Sequence, residues 1–189
     1  YIDGFLASAS RFKGVPCLIV DIRGNGGGSE ARPKQWTTRF TGRTPNRVQV
    51  FTELVSETAM IGRVNSYALA LHKAPELSQQ GYPAMVEEYW GYAESFDSEE
   101  VTPYWRPYTV PGPQDIPSET TLIVVMDANV YSSGEGFISY LHQVENVVIV
   151  GENSGGALTY GQMSHHRLPN SQTLVALPTS LNVFVDLEY

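Results

Sequence analysis

Leu122-Ile-Val-Val-Met126-Asp127-Ala-Asn-Val-Tyr131-Ser132-Ser133-Gly134-Glu135-Gly136 is the stretch that decides the fold of this chain. Its apolar start predicts a buried strand, and the amphipathic run from Phe137 to Leu141 predicts the helix that follows. Serine at such a turn lies where free backbone N–H groups and the helix dipole favour developing negative charge. The pattern Ser132-x-x-Glu135 is equally a capping box, and this stretch alone leaves both interpretations open.

Composition restricts the classes of function. A chain of 189 residues with 42% hydrophobic residues predicts one globular domain. The net charge of −8 argues against nucleic acid and anionic membranes as partners, because both require a basic surface. No apolar run reaches the ~20 residues of a membrane span. Cys17, the single cysteine, lies in an apolar run and is expected to be a small buried side chain.

Strand-like and helix-like segments alternate along the chain, which predicts an α/β fold. Helices are expected at 1–12, 30–40 and from the serine turn to about Gln143, and single strands at 17–22, 47–54, 120–126, 147–150 and 181–186. The strand at 17–22 is continuously apolar, as expected for a strand covered on both faces. Residues 162–168 and 172–177 flank a Pro169-Asn170-Ser171 turn and predict a late β-hairpin.

An aromatic-rich insertion at about 56–117 interrupts this alternation. Residues 84–93 fit a helix, and 102–117 is expected to be a proline-containing loop. The insertion would serve as a lid or ligand surface, or would simply pack its aromatic side chains onto the body. Both ends of the sequence look cut from a longer one, so we expect residues 1–189 to form a single, truncated catalytic core.

The glycine loop Gly24-Asn-Gly-Gly-Gly28 follows the first predicted strand. It lacks the third glycine of a dinucleotide fingerprint and the Gly-Lys-Ser/Thr of a phosphate loop. Backbone N–H groups without side-chain cover suit an oxyanion hole, although a flexible turn would have the same composition.

Three motifs in order resemble those of peptidase family S41, the tail-specific or C-terminal-processing serine peptidases. They are Asp21-x-Arg23-x-Asn25-x-Gly27-Gly28, Ser132-x-Gly134-Glu135, and Gly151-Glu152 followed by Gly155-Gly156. The resemblance implies an α/β ClpP/crotonase-like core with mostly parallel buried strands. It also implies Ser132 as nucleophile and an oxyanion hole formed by backbone N–H groups of Gly28 (or Gly27) and Ser133. Asn25, Gly27 and Glu135 would belong to the substrate and oxyanion loops.

The general base separates two branches of that family. The tail-specific branch places a lysine in the loop after Gly151-Glu152, but the lysines of this chain are Lys13, Lys34 and Lys73. The chain is therefore closer to the branch similar to the tricorn core, which uses Ser, His, Ser and Glu. That histidine would precede Tyr1, and Glu188 is the nearest candidate for the closing glutamate.

The adjacent Ser164-His165-His166 looks like the Ser-His pair of that branch but follows the wrong loop. Neighbouring residues on a strand point to opposite faces, so at most one of these histidines would reach a site. We expect structural or surface roles for them and for His72 and His142. No spacing of histidine, cysteine and carboxylate residues predicts a metal site.

The sequence as a whole favours a serine endopeptidase core that cleaves a peptide or protein substrate through an acyl-enzyme, without a cofactor. A catalytically inactive peptide- or ligand-binding module on the same fold is one alternative, and a crotonase-like acyl-CoA enzyme is another. A homo-oligomer stays open. Relatives in bacterial envelopes favour an envelope or secreted location, and a cytoplasmic one stays open.

Overall fold

The computed structural model describes residues 2–98, 101–108 and 111–184 and divides the chain into two compact units. The first unit consists of Tyr1–Val50, Thr109–Thr159 and Val183–Tyr189. The second consists of Phe51–Tyr108 and Tyr160–Asn182. Much of the expected insertion at 56–117 thus lies in the second unit, which also contains the late hairpin.

The first unit is built on a parallel sheet. Its helices are α1 (Ile2–Arg11), α2 (Ala31–Thr41) and α5 (Ser133–Leu141), and its strands are β1 (Cys17–Asp21), β4 (Thr121–Met126) and β5 (Val147–Gly151). The strand order is β1-β4-β5, with Cys17 opposite Thr121 and Leu122 opposite Val147. The carboxyl ends of β1 and β4 therefore meet at the same edge of the sheet, where the glycine loop and the serine turn begin.

The core of the first unit lies between one face of this sheet and the three helices. Leu122 and Val124 of β4 are fully buried there, and Trp36 of α2 stacks on Phe40 at 5.0 Å and meets Phe137 of α5 edge-on at 5.5 Å. This packing fixes the direction of α5 and hence the position of its first residues.

The opposite face of the parallel sheet corrects one expectation. The strand at 17–22 was expected to be covered on both faces, and that expectation is wrong for this chain, since Ile19 is 64% exposed and Cys17 is also exposed. The alternation of side chains explains the result, because Leu18 and Val20 pack against the helices and their neighbours point away.

The second unit combines two long helices with an antiparallel sheet. Its helices are α3 (Glu57–Lys73), a 3₁₀ helix (Pro75–Gln80) and α4 (Tyr82–Ser98). It contains all of β3 (Tyr104–Tyr108) and β6 (Tyr160–Arg167), and most of β2 (Gln49–Val55) and of β7 (Leu174–Phe184). The strand order is β3-β2-β7-β6. Antiparallel pairing of β6 with β7 confirms the predicted hairpin.

Three details of this unit differ from the sequence expectations. The expected loop at 102–117 contains β3, which pairs with β2 and places Arg106 opposite Glu53. The first part of the insertion forms α3, and the N-cap residue Ser56 accepts a hydrogen bond from the N–H of Ala59 at 3.2 Å. The separate strand expected at 181–186 is instead, as far as residue 184, the end of β7.

Candidate active site

Ser132 occupies the turn between β4 and α5 in an unusual backbone conformation. It is the N-cap residue of α5, with φ of 53° and ψ of −119°. A positive φ at a residue other than glycine costs about 1–3 kcal/mol and persists where surrounding contacts impose it, often at functional sites. Ser132 is exposed, whereas Ser133 is only 8% exposed. Of the two serines, the turn therefore presents Ser132 to solvent.

Glu135 holds this turn in place with both carboxylate oxygens. Its Oε2 accepts a hydrogen bond from the backbone N–H of Ser132 at 2.8 Å. Its Oε1 accepts two more, from the Ser154 hydroxyl at 2.7 Å and from the Gly156 N–H at 2.9 Å. Glu135 is 7% exposed, so these donors replace the water that a buried carboxylate loses. The reach-back arm of the predicted capping box is therefore present, and it also binds the loop at 153–156.

The glycine loop packs directly against the serine turn. A Cβ atom added at Gly27 would lie 2.8 Å from Ser132 Cβ, 2.8 Å from the Tyr131 carbonyl oxygen and 3.2 Å from the Ser133 nitrogen. Gly27 also has φ of 97°, a conformation that side chains disfavour. Close approach and backbone conformation thus both require glycine at this position.

Two long-range hydrogen bonds fix the loop relative to the turn. The Tyr131 N–H donates to the Asn25 carbonyl oxygen at 3.0 Å, and the Gly24 N–H donates to Asp127 Oδ1 at 3.0 Å. The bond from Gly24 is the main cause that holds the pKa of Asp127 below its ordinary value. Asp127 was not among the predicted site residues, although its position directly after β4, beside the end of β1, is a signal that could have identified it.

The backbone N–H groups at the contact differ in what they bind. The Gly27 N–H donates to Asn25 Oδ1 at 3.0 Å. Among the described residues, neither the Gly28 N–H nor the Ser133 N–H has a hydrogen-bond acceptor. Ser133 is the first residue of α5, where the N–H groups of a helix lack partners within the helix. One uncommitted donor therefore follows Ser132 directly in the turn, and a second follows Gly27 in the glycine loop that packs on the turn.

The remaining charged residues of the first motif form a surface ion pair. Arg23 Nε and Nη2 donate to the two oxygens of Asp21 at 3.0 and 2.6 Å. This hydrogen bonding lowers the pKa of Asp21 from 3.8 to about 2. The bidentate pair braces the start of the glycine loop and remains exposed to solvent.

The far end of the glycine loop is attached to α5. Glu30 accepts a hydrogen bond from the Tyr140 hydroxyl at 2.7 Å and forms an ion pair with Arg47. Burial and then the charge of Glu30 raise the pKa of the Tyr140 hydroxyl. Sequence reasoning did not find these three residues, because the contact between Glu30 and Tyr140 spans 110 positions of the chain.

The predicted site residues therefore fall into two groups. The structure brings Asn25 and Gly27 against the turn that contains Ser132, Ser133 and Glu135, and Gly28 is the next residue of the same glycine loop. Glu188 lies outside the described residues.

No histidine or lysine hydrogen-bonds to Ser132 among the described residues. The one histidine in the sequence of the first unit is His142, ten positions after Ser132 and so about 15 Å along the helix direction. His165 and His166 belong to the second unit, where His165 Nδ1 lies 2.7 Å from Ser66 Oγ and His166 Nε2 lies 2.6 Å from Ser164 Oγ. Ser164 is 1% exposed, so it does not present a nucleophile to solvent.

The described part of the chain holds no group of three or more histidine, cysteine, aspartate or glutamate residues arranged to bind a metal ion. Within the same residues, none of the helices has the length and apolar character needed to cross a membrane.

Comparison with solved structures finds a similar fold in two structures of mature CPAF. The crystal structure of mature CPAF matches with a TM-score of 0.56 and 16% identity, over 97% of this chain and 38% of that chain. A structure of mature CPAF complexed with lactacystin matches with a TM-score of 0.55 and 15% identity, over 97% and 39% of the two chains. The chain thus spans about two fifths of these neighbours, and the likeness supports the predicted α/β fold.

Sequence comparisons give two further results. Comparison with curated proteins yields no match. The family model of peptidase family S41 matches residues 2–186, which is nearly the whole chain. The matched range contains the glycine loop, the serine turn and the Gly155-Gly156 loop described above, and the chain belongs to peptidase family S41.

Proposed function

We propose that this chain carries the nucleophile and the oxyanion donors of a serine endopeptidase. The observation that carries the proposal is the backbone of Ser132, held at φ of 53° on an exposed strand-to-helix turn against Gly27. Membership of a peptidase family supports the same reaction class. An enforced conformation at one exposed hydroxyl is expected of a nucleophile and is not needed to start a helix.

In this mechanism the Ser132 Oγ attacks the carbonyl carbon of a peptide bond. The tetrahedral intermediate places its negative oxygen between the N–H groups of Gly28 and Ser133, neither of which has an acceptor among the described residues. Gly27 is less suited, since its N–H already binds Asn25 Oδ1. Collapse breaks the C–N bond and leaves an acyl ester on Ser132, which water then hydrolyses. The proton of Ser132 passes to a general base and then to the leaving amine.

We further propose that the base is a histidine, as in the branch similar to the tricorn core. The 151–156 loop has no lysine and does not supply the base. The N–H of Gly156 in that loop binds Glu135, and neither Gly155 nor Gly156 has a side chain that could act as a base. His142, the residue after α5, is too far from Ser132 to receive its proton directly.

Fluorophosphonate labelling tests the nucleophile, applied both to the 189-residue chain and to the longest form of the encoded protein. Ser132→Ala should abolish labelling, whereas Ser133→Ala should retain it, because Ser133 contributes only a backbone N–H. Equal labelling of the parent protein and the Ser132→Ala variant would overturn the assignment. A mass spectrum of the labelled peptide identifies the modified serine directly.

A non-catalytic binding module on the same fold is the second candidate. The observation that favours it is that no histidine or lysine contacts Ser132 among the described residues, and a serine hydroxyl without a base is a weak nucleophile. Saturable peptide binding by the longest form of the protein, with neither labelling nor turnover, would support this candidate over the peptidase.

A further inference from the structure

The side chain of Tyr131, the residue directly before Ser132, lies on Gly155. A Cβ atom added at Gly155 would overlap the Cδ1, Cε1 and Cζ atoms of the Tyr131 ring. The φ of Gly155 is not positive, so lack of space, and not backbone conformation, requires glycine at this position. The ring thus occupies the place that a side chain at position 155 would take, and the rest of its surface is exposed.

Backbone hydrogen bonds accompany this contact. The Gly155 N–H donates to the Val130 carbonyl oxygen at 2.9 Å, and the Tyr131 N–H donates to the Asn25 carbonyl oxygen at 3.0 Å. Residues 130 and 131 are therefore attached both to the loop at Gly155 and to the glycine loop. The ring of Tyr131 adds the one side-chain contact by which the residue before Ser132 meets the loop at Gly155.

The peptide unit between Tyr131 and Ser132 determines the unusual backbone conformation of Ser132. Its carbonyl oxygen accepts a hydrogen bond from the Gly134 N–H at 2.9 Å, and its N–H donates to Glu135 Oε2 at 2.8 Å. Because a peptide unit is rigid, rotating it changes ψ of Tyr131 and φ of Ser132 together. The φ of 53° at Ser132 therefore depends on the position of the Tyr131 Cα atom as well as on these two bonds. The ring on Gly155 holds that Cα atom in place.

We propose that Tyr131 is a positioning residue for Ser132. Its ring, packed on Gly155, holds the peptide unit in the orientation that keeps φ of Ser132 positive and presents the Ser132 hydroxyl. The inference rests on the proposed peptidase function for its catalytic meaning, but the backbone conformation of Ser132 is measurable without catalysis. The Tyr131 hydroxyl has no hydrogen-bond partner among the described residues, so the ring, and not the hydroxyl, is the part that acts.

The rate of fluorophosphonate labelling of Ser132 tests this role, measured on the longest form of the encoded protein. Tyr131→Ala removes the ring and should slow labelling about ten- to hundredfold, the loss expected when a reacting group is misplaced. Tyr131→Phe keeps the ring and should restore the parent rate. Tyr104→Ala, at an exposed tyrosine of the second unit, is the matched control and should leave the rate unchanged.

The labelling rate is expressed per folded molecule, with the folded fraction taken from circular dichroism and denaturant unfolding. A residue that only stabilises the fold would change the folded fraction and leave this corrected rate at the parent value. An unchanged corrected rate in Tyr131→Ala would therefore overturn the inference, and so would a Tyr131→Phe variant as slow as Tyr131→Ala. If Tyr131→Ala does not fold, Tyr131→Leu replaces it, with a smaller expected loss.

Gly155→Ala tests the same contact from its other side. The new methyl group would displace the Tyr131 ring and should also slow labelling about tenfold or more. In Tyr131→Ala the ring that this methyl group would strike is gone, so adding Gly155→Ala to that variant should cause no further loss. Effects of the two substitutions that multiply in the double variant would show that they act independently, and the inference would be wrong.

NMR of the 189-residue chain gives a readout that does not need catalysis. The carbon shifts of Ser132 Cα and Cβ depend on its backbone dihedral angles. Gly155→Ala, far from Ser132 in the sequence, should move these shifts, and unchanged shifts would overturn the inference. Moved shifts with an unlabelled parent protein would remove the peptidase proposal and keep the positioning contact. A labelled parent protein with an equal rate in Tyr131→Ala would remove the positioning role alone.

Discussion

Glu135 Oε2 lies 2.8 Å from the backbone nitrogen of Ser132, the residue whose φ is 53°. This bond joins a buried carboxylate to the strained position of the turn. A hydrogen bond to a charged group contributes about 1.5–3 kcal/mol, which is similar to the cost of the strained backbone. The capping box and the nucleophile turn are therefore one arrangement, in which the cap holds the conformation that presents Ser132.

Glu135→Ala should lower the free energy of unfolding of the first unit by about 3 kcal/mol. It leaves the N–H groups of Ser132 and Gly156 and the hydroxyl of Ser154 without their acceptor in a partly buried setting. Denaturant unfolding measures the loss, and fluorophosphonate labelling of Ser132 should fall with it.

Two control variants make the Glu135 result specific. Glu145→Ala, at an exposed position, should change the unfolding free energy by less than about 0.5 kcal/mol. Glu135→Gln keeps one acceptor oxygen and should lower the free energy of unfolding by less than Glu135→Ala does. If Glu135→Ala were no more harmful than Glu145→Ala, the proposed role of this carboxylate in holding the turn would be wrong.

Gly27→Ala should destabilise the chain by about 1–3 kcal/mol and abolish labelling of Ser132. The new Cβ would lie 2.8 Å from Ser132 Cβ and from the Tyr131 carbonyl oxygen, and alanine also disfavours φ of 97°. The neighbouring Gly26→Ala meets no atom within 4 Å and should be nearly neutral in both assays. Similar effects of the two substitutions would show that the loop does not pack on the serine turn.

Asp21 should titrate well below an ordinary aspartate. Hydrogen bonding from Arg23 lowers its pKa from 3.8 to about 2 in the folded chain. The folded state therefore gains stability from the pair above about pH 4, and this gain is lost as the pH falls from about 4 toward 2. Carboxyl-carbon NMR titration measures the pKa directly. In Arg23→Gln it should return toward 3.8, and an unchanged low value would exclude Arg23 as the cause.

The sequence predicted those parts of the site that are local in the chain. The apolar run before Ser132 and the periodic run after it specify β4 and α5, and the capping pattern predicts the bond between Glu135 and Ser132. The glycine loop after β1 is equally local. Because parallel neighbouring strands end at the same edge of a sheet, these two local predictions already imply the contact between Gly27 and the turn.

What the sequence did not predict depends on contacts between distant positions. The bond from Gly24 to Asp127 joins residues 103 positions apart, and nothing in either local pattern specifies the partner. Likewise β3 contains a proline and reads as loop, but pairing with β2 makes it a strand. The sequence did not predict the exposure of Ile19, because an apolar run predicts a strand but does not show whether one or both faces of that strand are buried.

Gly62→Ala should disrupt the second unit, because α3 approaches β6 closely at this glycine. An added Cβ would overlap Ser164 Oγ and His166 Nε2, which are hydrogen-bonded to each other at 2.6 Å. We expect a loss of about 2 kcal/mol or more, measured by denaturant unfolding followed through Trp90 and Trp105 fluorescence. Gly91→Ala in α4 meets no atom within 4 Å and should instead stabilise by about 0.5–1 kcal/mol.

Glu53→Gln should destabilise the second unit by about 3–5 kcal/mol, because it removes the charge shared by the buried guanidinium group of Arg63 and the partly buried one of Arg106. The Glu53 side chain is fully buried, 2.6 Å from Arg106 Nη2 and 3.9 Å from Arg63 Nε. Burial and then the charge of Glu53 raise the pKa of Tyr108 to about 12, so this pKa should move back toward 10 in the variant.

Denaturant unfolding and ultraviolet titration of tyrosine together distinguish a charge effect from a packing effect at Glu53. Glutamine preserves the shape of the side chain, so loss of stability with a lowered tyrosine pKa identifies the missing charge as the cause. Glu88→Gln on the exposed side of α4 is the matched control and should change neither quantity. If Glu53→Gln unfolded at the same denaturant concentration as this control, the side chains of Glu53, Arg63 and Arg106 would stabilise the unit by packing alone. Their ion pairs would then add no net stability.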